Sequence, residues 1–177
     1  GVVRKLCYFY FSTVKSFRLP CKLSMVQVDL ASKMISDFRP CLPAEFKRKI
    51  RPLSELKHYK SVEFRTFILY TAPFLMKKLL PRTYYDNLML LHFSIYCFCS
   101  RRNFPLFQCA KSSLYGFVEQ CASLFSKKSM VYNVHCLLHL PHFAEMYGPL
   151  DQFSTFPFEN FLSLLKKETK NASHVFE

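Results

Sequence analysis

The chain has 177 residues, half of them hydrophobic, and its 25 Lys and Arg against 12 Asp and Glu give a formal net charge of +13. This length suffices for one domain with a core, and the apolar content excludes an intrinsically disordered chain. Three glycines are too few for the many tight turns of a β-sandwich or barrel. We therefore expect a mainly α fold, a multi-helix bundle.

The positive charge favours a polyanionic partner, most often DNA or RNA, over a merely soluble basic surface. Thirty aromatic rings, 20 Phe and 10 Tyr without Trp, are mainly expected in the core. Some of them are alternatively a stacking surface for nucleic acid or a docking face. The expected DNA contacts are the basic clusters Lys47, Arg48, Lys49 and Arg51, and Lys166 and Lys167.

Eight cysteines do not indicate a disulfide scaffold, because the chain is large and apolar, and Cys97 and Cys99 lie in a hydrophobic, helix-like run. We expect reduced thiols in the nucleus or cytoplasm. No run reaches the roughly 18 uncharged apolar residues that span a bilayer, and Val2–Phe11 is a poor signal peptide. The sequence therefore predicts neither secretion nor a membrane partner. We expect the chain to be a piece of a larger protein.

Residues 1–23 are predicted to form an N-terminal segment with at most a short strand at Cys7–Phe11, and residues 24–177 a single helical domain. Ser24 is expected to cap a helix over Met25–Phe38. A second helix is predicted over Glu55–Tyr70, to kink or end at Pro73. Later, Thr83 and Asp86 are expected to cap a buried helix that ends at Cys99.

The remaining predicted elements lie between these helices and the C-terminus. They are a short helix at Phe74–Leu80, a loop at Arg101–Phe104, a helix at Leu106–Ser126, a helix at Tyr132–Leu140 ended near Pro141, and a helix at Pro157–Lys170 capped by Ser154 or Thr155.

Histidines four residues apart, His135 and His139, share one face of a helix, with Cys136 and His142 nearby. Structural zinc sites use about four ligands, usually in two pairs, and no second pair has a conventional spacing. Hydrogen-bonding or core histidines are therefore favoured over a metal site, and His135, His139 and His142 remain weak metal candidates. Nothing marks Cys136 as an activated thiol.

Glu159 lies in the first turn of the last predicted helix. The ordinary interpretation is that an acidic residue there interacts favourably with the helix dipole.

A family pattern adds a second interpretation of Glu159. His135-x-x-x-His139-Leu140, Gly148-Pro149, Pro157-Phe158-Glu159 and Leu165-Lys166 resemble, in order and spacing, the end of CACTA-class (En/Spm-like) transposases.

Upstream segments are similar to the animal, transposon-derived relatives of those proteins, so that the resemblance covers most of residues 26–170. These segments are Leu42-Pro43-Ala44-Glu45-Phe46-Lys47-Arg48-Lys49, Arg51-x-Leu53-x-Glu55-Leu56, and Glu63-Phe64-Arg65 with Leu69-Tyr70.

The resemblance implies a parent DDE-type transposase that cuts DNA in an RNase H-like domain, where three carboxylates hold two Mg²⁺ ions. By this resemblance, Glu159 would be the third carboxylate and residues 52–126 the helical insertion. The structural signature would be His135, His139, Pro157 and Phe158. Nothing matches the region of the first two aspartates, and Asp29 and Asp37 fall on a predicted helix. This chain alone is therefore not expected to cut DNA.

The leading hypothesis is a C-terminal fragment of a transposase, from a mobile element or a gene derived from one. It would bind DNA, pack on the missing upstream catalytic half, or do both. Two alternatives stay open. One is a helical protein-interaction module without a nucleic-acid role, and the other is a zinc-stabilised helical domain.

Overall fold

The computed structural model describes residues 1–12, 19–43, 46, 48–154, 161, 162, 165 and 168. These residues are mainly helical and contain no strand, so the predicted mainly α class is confirmed. The α-helices in this part of the chain are α1 (Val2–Phe11), α2 (Met25–Phe38), α3 (Ser61–Thr66), α4 (Ala72–Leu75), α5 (Arg82–Phe98), α6 (Phe107–Phe125), α7 (Tyr132–His135) and α8 (Leu140–Tyr147). Short three-ten helices connect several of them, at Arg39–Cys41, Leu53–His58, Met76–Lys78, Arg101–Leu106, Lys127–Ser129 and Cys136–His139.

Helices α5 and α6 form an antiparallel pair joined by buried polar side chains. Asn87 Nδ2 donates to the Phe117 carbonyl (3.2 Å) and to Gln120 Oε1 (3.1 Å). Further along α5, Ser94 Oγ donates to the Ala110 carbonyl at 2.8 Å. A buried polar group left without a partner costs about 1–3 kcal/mol, so these hydrogen bonds favour a single register for the pair.

Aromatic rings connect α1 to the rest of the core. Phe9 stacks on Phe125 with 5.3 Å between ring centroids, and Phe11 meets Phe67 edge to face at 6.0 Å. Tyr10 is fully buried between them. Ring pairs at these distances add about 0.5–1.5 kcal/mol each beyond the area they bury, so much of the phenylalanine content packs the core, as expected.

The short strand predicted at Cys7–Phe11 is wrong, because these residues belong to α1. Leu6, Cys7, Tyr10 and Phe11 are the buried residues of this helix. Their spacing of one, three and one residues places them on one side of a 3.6-residue turn. A short apolar run fits a strand or a buried helix equally well in sequence, and here packing on the core decides for the helix.

Helix α2 has the bounds predicted for it. Ser24 Oγ accepts a hydrogen bond from the Gln27 backbone N–H (3.3 Å), and Gln27 Oε1 accepts one from the Ser24 backbone N–H (2.9 Å). This reciprocal capping box satisfies two backbone donors at the start of the helix. Ala31 and Ile35, four residues apart, are its buried residues and hold it against the core.

The single helix predicted over Glu55–Tyr70 is wrong. A three-ten helix, Leu53–His58, ends before Tyr59, and α3 begins at Ser61. The break follows from Glu63, whose carboxylate accepts the Lys60 backbone N–H at 2.8 Å and so caps a new helix.

Pro73 does not end the helical path. A π-helical turn over Phe67–Thr71 precedes it, in which the Ala72 N–H donates to the Phe67 carbonyl five residues back. This wider turn places Pro73 in the first turn of α4, where a missing N–H costs little. The predicted helix Phe74–Leu80 is accordingly replaced by α4 and the three-ten turn Met76–Lys78.

Two other predicted boundaries also change. Thr83 and Asp86 do not cap α5, since the helix follows Pro81 without a side-chain cap and Asp86 instead accepts from Arg82 Nε at 2.7 Å. Pro141 does not end a helix but lies in the first turn of α8.

Elsewhere, the predicted loop Arg101–Phe104 is part of a three-ten helix, whereas the helix predicted at Leu106–Ser126 agrees with α6 to within one residue at each end. Most of the last predicted helix, Pro157–Lys170, lies outside the described residues, although Phe161, Leu162, Leu165 and Glu168 are helical.

Candidate nucleic-acid interface

The basic cluster at residues 47–51 is divided by the fold. Arg51 faces inward, where its Nε and Nη2 donate to the two carboxylate oxygens of Glu63 at 2.8 and 2.7 Å. Arg48 is exposed and Lys49 is half-buried, while Lys47 lies outside the described residues. Arg51 therefore has few donors left for a phosphate, and among the described residues of this cluster Arg48 and Lys49 are the available cations.

Glu63 is fully buried, and it keeps its charge because its partners are charged or strongly polar. Burial by itself would raise the pKa of its carboxyl group. Hydrogen bonds from Arg51 and from the Lys60 N–H outweigh burial and hold this pKa below its ordinary value. The same pairing raises the pKa of Arg51, so this pair is ionised at neutral pH.

Most of the exposed cations in the described part of the chain lie outside the predicted clusters. Three arginines, Arg51, Arg65 and Arg82, make the ion pairs found among the described residues. Exposed cations without an ion-pair partner in this part of the chain are Arg4, Lys33, Arg39, Arg48, Lys57, Lys60, Lys77, Lys78, Arg101, Arg102 and Lys127. The doublets Lys77-Lys78 and Arg101-Arg102 are visible in the sequence. Only the structure shows that they lie at the ends of three-ten helices and face solvent.

The second basic cluster, Lys166 and Lys167, lies outside the described residues. So do Glu159, the residue that the transposase resemblance makes a carboxylate of the catalytic site, and Pro157 and Phe158 of the signature. Asp29 and Asp37 lie on α2, as predicted. Among the described residues, no three His, Cys, Asp or Glu side chains come together as metal ligands.

The predicted pair of histidines does come together. His135 and His139 approach to 3.4 Å between their Nε2 atoms, and both are exposed. Cys136 is not directed to them, because it forms a hydrogen bond with Tyr132 that raises the pKa of the Tyr132 hydroxyl. His142 contacts Phe143 instead, with 6.0 Å between ring centroids. Cys136 and His142 therefore do not complete a set of three metal ligands with this pair.

All eight cysteines are free thiols in the structure. Burial raises the pKa of Cys21 and Cys121 to about 12 and that of Cys7 further. A thiol with such a pKa stays protonated at neutral pH, and only the thiolate is a nucleophile. These three cysteines therefore pack the core.

Helix α6, although the longest of the α-helices above, is too polar to cross a bilayer, and no other helix in the described part of the chain is long and apolar enough to do so. Comparisons of the chain with protein-family models, with curated proteins and with solved structures found no match.

Proposed function

We propose that this chain is the C-terminal part of a transposon-derived, CACTA-like transposase that binds DNA, packs on a missing RNase H-like catalytic half, or does both. The observation that carries the proposal is the excess of exposed cations without an ion-pair partner among the described residues, on a chain of net charge +13. An unpaired lysine or arginine at the surface can release counterions from DNA phosphates, whereas one held by a carboxylate contributes less.

The motif resemblance supports the choice of a transposase among DNA-binding proteins. Glu159 would contribute one of three metal-binding carboxylates in an intact parent, and Mg²⁺ would be that parent's cofactor. One carboxylate does not hold two metal ions, so the chain by itself would not cut DNA.

Titration of duplex DNA at increasing salt tests the proposal. The logarithm of the binding constant must fall linearly with the logarithm of salt, by about 0.9 per phosphate contacted. Arg48→Ala should reduce this slope by about 1. Arg82→Ala is the matched control, since it removes the same charge from a side chain already paired with Asp86. No binding at low salt would leave only the packing role.

A zinc-stabilised domain is a second candidate because of the histidine pair. Two nitrogens bound to tetrahedral zinc at 2.0–2.1 Å lie about 3.4 Å apart, which is the separation of Nε2 in His135 and His139. They would supply two of about four ligands. Zinc content of protein purified without chelator tests this candidate, with His139→Ala expected to remove the metal and His142→Ala to retain it. A zinc content near zero excludes it.

A protein-interaction module is the third candidate, favoured by the outer face of α2. Met25, Val26 and Leu30 are exposed there on adjacent turns. Exposed apolar patches of this kind mark interaction sites in many proteins. This candidate predicts no salt-dependent DNA binding, so the duplex titration separates it from the leading proposal.

A further inference from the structure

Three aromatic rings form a continuous exposed row at the end of α8. Phe143 and Tyr147 stack with 6.3 Å between centroids and 22° between ring planes, and Tyr147 meets Phe153 at 5.8 Å. Their exposed fractions are 44%, 57% and 39%. Because a folded protein gains free energy by burying such rings, a row that stays in solvent is available to a partner.

The segment that carries the row is held firmly. Gly148 ends α8 with φ +84°, a conformation that L side chains rarely adopt. The Leu150 N–H then donates to the carbonyl of Phe98 at 2.9 Å, and Asp151 accepts two hydrogen bonds from Arg65 at 2.7 and 2.8 Å. A surface that is ordered before binding loses less conformational entropy when a ligand arrives.

A cleft of about 480 Å³ adjoins the row and brings positive charge to it. Arg101, Phe104 and Tyr147 line it, together with Glu145, Met146 and Gly148. Arg101 and its neighbour Arg102 are exposed and have no ion-pair partner among the described residues. Tyr147 belongs to both the cleft and the row, so a flat apolar surface continues into a pocket with an arginine.

We infer that this surface, the aromatic row of Phe143, Tyr147 and Phe153 with the Arg101 cleft, binds unpaired bases of single-stranded DNA. The inference rests on the proposed DNA-binding function and names a form of DNA for one site. Bases stack on exposed aromatic rings while cations follow the phosphates, and stacking is independent of base identity. In a duplex the flat faces of the bases are already stacked on one another, so these rings would find no partner there.

Charge disfavours a second copy of the chain as the occupant of this surface. A second copy of the chain would bring another net charge of +13 to the contact, and like charges oppose association. A polyanion is favoured instead. Glu145 is the one acidic residue that lines the cleft among the described residues, and it opposes a phosphate there.

The test measures fluorescence anisotropy with a labelled twelve-nucleotide oligo-dT and with a duplex, on the full chain. Phe143→Leu and Tyr147→Leu keep apolar bulk but remove the flat ring. Each should weaken oligo-dT binding roughly five- to hundredfold and change duplex binding less than about twofold. Phe74→Leu, an exposed ring on α4, is the matched control and should change neither. Glu145→Gln should strengthen oligo-dT binding, and Arg101→Ala should weaken it.

The other possible results would each contradict the inference alone or together with the proposed DNA binding. Duplex binding without oligo-dT binding, or oligo-dT binding unaffected by both ring variants, overturns this inference and leaves the proposed function standing. Absence of binding to either DNA at low salt overturns this inference together with the DNA-binding part of the proposed function, and leaves only the packing role. Tighter, Tyr147-dependent binding of oligo-rU assigns the surface to RNA instead. A dimer in light scattering that Phe143→Leu dissociates, with oligo-dT binding unchanged, makes the row an interface between copies.

Discussion

Arg51 and Glu63 form a bidentate ion pair. Arg51 lies just before the three-ten helix Leu53–His58, and Glu63 lies in α3. Glu63 is fully buried and Arg51 is mostly so. The same carboxylate accepts the Lys60 N–H, and the Tyr59 hydroxyl donates to the Arg51 carbonyl. The pair therefore fixes a corner of the chain at the point where sequence periodicity predicts an uninterrupted helix.

Glu63→Ala is expected to lower the free energy of unfolding by about 3 kcal/mol, because the largely buried Arg51 loses its bidentate partner and keeps only the His58 carbonyl and a longer contact, 3.5 Å, with exposed Glu55. Chemical denaturation followed by circular dichroism measures the change. Asp86→Ala is the control, since its pair with Arg82 is exposed and spans one helical turn. It should cost less than about 0.5 kcal/mol, and an equal loss for the two variants would contradict the prediction.

The stability contributed by Glu63 should be lost in acid. Its pKa is lower in the folded protein than its ordinary value of 4.5, so the unfolded chain binds the proton more readily. Glu63 therefore contributes its full stability above pH 4.5. As pH falls from 4.5 toward the folded pKa, this contribution is lost and the protein unfolds more easily.

Denaturation midpoints measured across this acidic range check the pH prediction. Glu63→Gln removes the titrating group and should make the midpoint fall less steeply with pH than it does in the unaltered protein. Parallel curves for the two proteins would show that other carboxylates account for the acid sensitivity.

Two glycines should respond to alanine in opposite directions. Gly148 has φ +84° and ψ −162°, and Gly148→Ala should destabilise the protein by about 1–3 kcal/mol because that backbone region is nearly exclusive to glycine. The new Cβ would also lie 2.7 Å from Gln152 Oε1. Gly116 lies inside α6, where a Cβ would meet only Leu90 Cδ1 at 3.7 Å.

Gly116→Ala should therefore stabilise the protein by about 0.5–1 kcal/mol through a lower entropy of the unfolded chain. Thermal melts of the two variants side by side provide the measurement. Destabilisation by both would mean that the space around Gly116 is tighter than the contact distance indicates.

Ser24→Ala is expected to cost about 1 kcal/mol, because the Gln27 N–H loses its side-chain acceptor at the start of α2. Amide hydrogen exchange should rise first in the opening turn of this helix. Ser36→Ala serves as the comparison. Its hydroxyl only donates to the Ser32 carbonyl within the same exposed helix, so its effect on stability should be close to zero.

Local signals in the sequence were sufficient for part of the fold. The cap at Ser24 was enough to place the start of α2, and the bounds predicted for α6 agree with the structure to within one residue at each end. The low glycine content was enough to predict the mainly α class. Helix caps and apolar spacing act over a few neighbouring residues, so they are visible without the tertiary structure.

Tertiary structure decided what depends on residues far apart in sequence. Leu6–Phe11 is a helix because it packs on Phe125 and Phe67, and Pro73 and Pro141 continue helical paths because neighbouring turns absorb the missing N–H. Both candidate surfaces depend in the same way on distance through space. Glu63 withdraws Arg51 from the basic cluster at residues 47–51. In the aromatic surface, the α5–α6 connection and the turn at Gly148 bring Arg101 to Tyr147. Charge by itself leads to the prediction of a polyanionic partner, but a binding surface is a juxtaposition of side chains, and only folding of the chain creates it.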